Sequence, residues 1–175
     1  MLLATAPLVL LADILTKQVA VSELSGREPL RLLGGAVYLV LVRNSGAAFS
    51  LGTGYTFVFP LITVVVVGWI AWTSRRLRSA PWALALGLVL GGALGNLADR
   101  VFRAPGPMVG HVIDFVSVFD PAGQVFPVFN VADSALCIGV VLAVLLELTG
   151  RRVDGTRTSG RRSDEPVGVP DSASG

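Results

Sequence analysis

Four runs of mostly apolar residues punctuate this chain, at Leu2–Val21, Tyr55–Ser74, Trp82–Val101 and Val131–Thr149. Each is close to the roughly 20 residues a helix needs to cross a hydrocarbon core. The stretches between them have a different rhythm. LRLLGGAVYLVLVRN sets Gly34 and Gly35 between leucine-rich and β-branched segments, the pattern of a hairpin. HVIDFVSVF predicts a short strand with Asp114 on one face. From Arg151 onward the chain turns to Gly, Ser, Arg and Asp, with too few apolar residues to bury, which predicts disorder. The expected fold class is an all-α membrane protein: a single domain of four transmembrane helices over residues 1–150, carrying a small β-rich cradle and loop on the extracytoplasmic side, then a cytoplasmic tail over 151–175.

Composition supports the membrane class. Hydrophobic residues make up 53% of the chain and charged residues 15%, with a mean hydropathy of +0.70. A soluble domain carries about a quarter charged positions. A net charge of +2, with arginines in short clusters, argues for no nucleic-acid partner. The first run lacks a basic leader and holds Asp13 and Lys17 where a cleaved signal would be uncharged, so it reads as a retained span. Arg75, Arg76 and Arg78 fill the turn between the second and third runs, and Arg151 and Arg152 follow the fourth. Positive residues in short loops stay on the cytoplasmic side, which puts both termini there and turns the long connections outward. The bacterial cell membrane is the expected location.

Ionisable residues at membrane depth are costly and are read first as functional. Asp114 and Asp133 sit in apolar surroundings on either side of one loop. The plainer reading makes Asp133 a first-turn acid suited to the helix dipole and Asp114 a solvated loop residue. Asn130, three residues before Asp133, reads as a helix N-cap. Composition and spacing leave both readings open. Asp13 and Lys17, four apart, share a helix face and can pair, either as packing or as part of a site. Asn96, Asp99 and Arg100 lie on neighbouring turns, where Asp99 pairing with Arg100, or Arg100 reaching the headgroups, competes with substrate contact. Gly87, Gly91 and Gly95 at four-residue spacing predict close approach of another helix. Asn44 to Phe49, including Gly46, reads as a turn or as a backbone-rich surface for an extended peptide. Cys137, alone in an apolar run, reads as core packing, and His111 as a loop hydrogen-bonding residue.

Five blocks, in order, resemble the signal peptidase II family of lipoprotein signal peptidases: DILTK at Asp13–Lys17, RNSGAAFS at Arg43–Ser50, GGALGNLADR at Gly91–Arg100, GHVIDF at Gly110–Phe115 and FNVADSA at Phe129–Ala135. The resemblance implies a four-helix aspartic endopeptidase that removes signal peptides from prolipoproteins just before a diacylglyceryl-modified cysteine. It implies catalysis by Asp114 and Asp133, with Asp13, Lys17, Asn44, Gly46, Asn96, Asp99, Arg100 and Asn130 supporting the fold or contacting substrate. The segment Arg103–Met108, with Pro105 and Pro107, departs from the pattern by being longer. Two close carboxylates share a proton and activate water without a metal or cofactor. The expected partners are prolipoproteins and membrane lipids, and the expected state is a monomer.

Rival chemistries find less support. One histidine and no HExxH leave no zinc site for a metallopeptidase. A Ser-Lys peptidase would use Lys17 with Ser45 or Ser50 and leave both outward acids idle. A carrier or proton channel along Asp13, Lys17, Asp99 and Arg100 lacks the internal repeat common in transporters.

Overall fold

In the computed structural model, residues 1–46 and 58–157 are described; Ala47, Ala48, Phe49, Ser50, the start of the second apolar run and the tail beyond 157 lie outside them. The elements run α1 (Leu2–Leu24), β1 (Leu30–Leu32), a short 3-10 turn at Leu33–Gly35, β2 (Val37–Asn44), α2 (Val58–Ser74), α3 (Ala80–Phe102), β3 (Val112–Val118) and α4 (Val131–Leu148). Among the described residues three helices, α1, α3 and α4, are long and apolar enough to cross a membrane, and α2 is a shorter apolar helix. Their outward faces keep residues such as Leu3, Leu15, Val65, Trp72, Val141 and Leu148 exposed, as lipid contact requires.

Helix α3 occupies the middle of the bundle because one side of it has almost no side chains. A Cβ at Gly91 would sit 2.7 Å from the Ala6 carbonyl oxygen, and one at Gly87 2.8 Å from Thr5 Cβ. The expected small-residue stripe therefore seats α1. On another side Gly92 meets the Ala132 carbonyl, and Gly139 of α4 returns the fit with its Cβ position 2.8 Å from Ala85 O. Backbone contact at this range gains dispersion and leaves no room for lipid between helices. An apolar cluster of Leu2, Ile70, Trp82, Ala83, Ala85, Leu86 and Leu146 closes the other end of the bundle.

The hairpin and strand expected from the sequence form one antiparallel sheet in the order β1-β2-β3. Leu39 pairs with Val116 but Val42 pairs with Asp114, so β2 holds one extra residue between them. That bulge resets the register and brings Asn44, two residues beyond Val42, onto the same face as Asp114. Phe129, just before α4, exchanges backbone hydrogen bonds of 2.9 Å with Val116. The chain after β3 thus returns to the strand before the helix begins.

Two expectations change here. The segment predicted to be disordered from Arg151 is, over 151–157, a closed turn: Arg151 bridges Arg157, and the Val153 carbonyl accepts from the amides of Arg78 at 3.0 Å and Ser79 at 3.1 Å. Backbone pairing with the α2–α3 loop stabilises it, which composition does not reveal. Cys137 is exposed rather than packed in the core.

Candidate active site

Asn130 organises the site. It is the N-cap of α4, its Oδ1 accepting from the Asp133 amide at 2.9 Å, while Asp133 Oδ2 accepts from the Asn130 amide at 3.2 Å. This capping box satisfies amides that the first turn cannot bond internally. The remaining Asn130 nitrogen then points at β3, donating to Asp114 Oδ1 at 2.7 Å. One residue thereby meets both acids, the Asp114 carboxylate through its side chain and the Asp133 carboxylate through its backbone amide.

Asp114 is 2% exposed, in a strand, so the solvated-loop reading does not hold. Its Oδ2 accepts from Asn44 Nδ2 at 2.8 Å. Asn44 is itself fixed by an Asx turn, its Oδ1 accepting from the Gly46 amide at 2.8 Å. Gly46 has φ 91°, a conformation glycine adopts without strain. Burial pushes the Asp114 carboxyl up to about 6; the Asn44 hydrogen bond opposes this, the Asp133 charge adds to it, and Asn130 and the Lys17 charge oppose it. Asp133 Oδ1 accepts from Asn96 Nδ2 at 2.7 Å.

A layer of buried charge lies beneath the two acids. Lys17 Nζ stands 2.7 Å from Asp13 Oδ2, 2.9 Å from Asp99 Oδ2 and 3.0 Å from Asn96 Oδ1, with Lys17 1% exposed. Three contacts occupy the three ammonium donors. The lysine is engaged as a cation, which argues against its acting as the base of a Ser-Lys pair. Asp13 Oδ1 accepts from the Ala132 amide at 2.9 Å, so α1 also caps α4. Asp99 receives the Ile113 amide at 3.1 Å and the Arg103 guanidinium.

Arg100 departs from both simple expectations. It is 6% exposed and turned inward, its Nη1 donating to the carbonyls of Asn44 at 3.0 Å and Gly110 at 2.9 Å. Asp99 takes Lys17 and Arg103 as its ion-pair partners instead. The longer segment after α3 folds back on the helix, the Gly110 amide meeting Arg100 O at 3.0 Å and the His111 amide Ala104 O at 3.0 Å.

Asn44, Asp114 and Asp133 line two cavities at once. One, of about 370 Å³, runs between α2, α3 and α4 and includes Gly46, Asn96, Arg100 and the α2 residues Pro60, Ile62, Thr63 and Val66. The other, of about 410 Å³, is walled by Phe126–Phe129, Ser134 and Cys137. Sequence reasoning missed the α2 wall, where a single threonine, Thr63, stands among apolar residues. It also missed Cys137, although four residues after Asp133 is one helical turn and the same face.

A family model described as Signal peptidase (SPase) II matches residues 5–149. The chain belongs to the signal peptidase II family. It is accordingly an aspartic peptidase, and a multi-pass membrane protein. The signal peptidase II chain is 53% identical over 162 residues to the lipoprotein signal peptidase of Mycobacterium tuberculosis H37Rv, covering 93% of this chain and 76% of that one. It is 54% identical over 157 residues to the lipoprotein signal peptidase of Rhodococcus jostii, covering 90% and 77%. A solved bacterial membrane enzyme superposes with a TM-score of 0.70 at 28% identity, covering 84% of this chain and 92% of the other.

Proposed function

We propose that this signal peptidase II cleaves prolipoproteins on the N-terminal side of a diacylglyceryl-modified cysteine, using water activated between Asp114 and Asp133. The observation that carries the reading is that both carboxylates line the same cavity, joined through Asn130, with the Asp114 carboxyl raised to about 6. The relatives' shared name, lipoprotein signal peptidase, supports the substrate class.

The chemistry follows from unequal surroundings. With Asp114 raised to about 6, the pair can hold one proton up to about that pH. The ionised member takes a proton from water as oxygen attacks the scissile carbonyl, and the protonated member donates to the carbonyl oxygen. The roles belong to the pair jointly. Asn44, Asn96 and Asn130 hold the acids in place, while Arg100 and Gly46 shape the wall an extended peptide would follow. The Asp13, Lys17 and Asp99 cluster positions the helices.

All four helices cross the bilayer in this reading, with both termini cytoplasmic and the sheet resting on the outer surface as a cradle. The arginines at 75–78 and 151–152 support that orientation. Acyl chains of the substrate stay among membrane lipids while the peptide enters between helices, and one copy of the chain suffices. The deciding experiment is mass spectrometry of the products from a diacylglyceryl-modified precursor peptide with purified enzyme in detergent. A cut immediately before the modified cysteine, unaffected by a chelator, is expected. A cut elsewhere, or equal turnover of the unlipidated peptide, would refute the proposal.

A further inference from the structure

The arginines used above for orientation also build a cavity remote from the acids. It has a volume of about 270 Å³ and is lined by Trp72, Thr73, Arg76, Arg152, Val153 and Asp154. Its two guanidinium groups come from segments distant in sequence, the α2–α3 loop and the 151–157 turn. The Val153 carbonyl holds those segments together by accepting from the Arg78 and Ser79 amides, and the Trp82 indole nitrogen adds a 2.7 Å bond to Arg151 O. We propose that this cavity binds the phosphate of an anionic membrane phospholipid.

Charge and position both favour that ligand. Segments 75–78 and 151–157 hold Arg75, Arg76, Arg78, Arg151, Arg152 and Arg157, against Asp154 as their acidic residue. Asp154 feels the Arg152 charge and also accepts at Oδ1 from the Thr156 amide at 2.9 Å and hydroxyl at 2.7 Å, so a single carboxylate offsets only part of this positive charge. Cations at helix ends also suit the helix dipole. That role does not call for two arginines from separate segments facing one hollow. Trp72, 60% exposed, lies under the Arg76 guanidinium at 5.8 Å, and exposed tryptophan marks the level of the headgroups. Basic pockets at the cytoplasmic ends of membrane helices suit acidic headgroups, and each arginine adds measurably to the attraction. A free phosphate shares the recognising chemistry but has no acyl chains to pass the exposed faces of Trp69 and Trp72.

The site rests on the proposed orientation only for its leaflet; binding itself is independent of peptidase activity. The test is native mass spectrometry of delipidated full-length enzyme in detergent, titrated with phosphatidylglycerol, with phosphatidylcholine and with inorganic phosphate. Phosphatidylglycerol should bind at least tenfold more tightly than phosphatidylcholine, and millimolar phosphate should compete weakly. The double variant Arg76→Gln, Arg152→Gln should lose roughly ten- to thirtyfold in phosphatidylglycerol affinity, while Arg76→Lys, Arg152→Lys and the distant Arg27→Gln should retain it. Peptide cleavage by the glutamine variant reports that it is folded. Equal affinity in wild type and glutamine variant, no preference between the two lipids, or phosphate binding as tightly as lipid would each overturn the proposal.

Discussion

Asn130 Nδ2 lies 2.7 Å from Asp114 Oδ1. Because the same side chain caps α4 at the Asp133 amide, the start of a membrane helix and the position of a strand carboxylate are set by one residue. Local capping chemistry thus becomes tertiary geometry.

Replacing either acid tests the proposed chemistry. Asp114→Asn and Asp133→Asn should each lower turnover of a lipidated precursor by about 10³-fold or more, the range for losing a general acid or base. Activity within tenfold of wild type in either variant would remove the water-activation step. Asp114→Asn should keep its melting temperature, since its buried site already favours the neutral form.

Asn130→Ala should cost stability and activity together. The lost cap is worth about 1 kcal/mol, and Asp114 loses a donor. A melting curve and a cleavage rate on one preparation separate the two effects; unchanged cleavage would show that the bridge to Asp114 is dispensable.

The pH profile follows from Asp114. Its value in the folded chain, about 6, lies above the ordinary 3.8. A raised carboxyl contributes stability that is present below 3.8 and lost as pH rises through about 6. One member of the pair must hold a proton, so kcat/KM should fall as pH rises through a limb near 6 in the free enzyme. The Asn44 hydrogen bond lowers the Asp114 value, so Asn44→Ala should move that limb upward. A limb that stays in place or moves down would contradict the assignment.

Lys17→Met should be among the most damaging changes away from the acids. It leaves Asp13 and Asp99 buried beside each other without their shared cation, a loss of about 3–5 kcal/mol for a broken buried pair. Thermal unfolding in detergent measures it. A shift no larger than that of an exposed control such as Arg27→Met would show the cluster to be energetically idle.

Gly95→Ala should destabilise by about 1–3 kcal/mol through overpacking. The added methyl would stand 2.5 Å from Asp13 Oδ2, between α1 and α4. Normal stability would mean that the helix interface yields.

By itself the sequence determined the apolar helices, the hairpin, the strand bearing Asp114 and the Asn130 cap. All of these arise from periodicity and from contacts within a few residues, which a linear chain displays directly. It also set Asp13 against Lys17, because i and i+4 meet on any helix. Only the tertiary structure decided that Asp99 takes Lys17 and Arg103 rather than Arg100, that Arg100 turns inward, and that Asp13 caps a helix 119 residues away. It alone drew α2 and Cys137 to the cavities and tied residues 151–157 to the α2–α3 loop. A buried polar group must find a partner wherever the packed backbones leave one. Which partner that is depends on the faces that glycine-rich α3 brings together, a property of the assembled bundle.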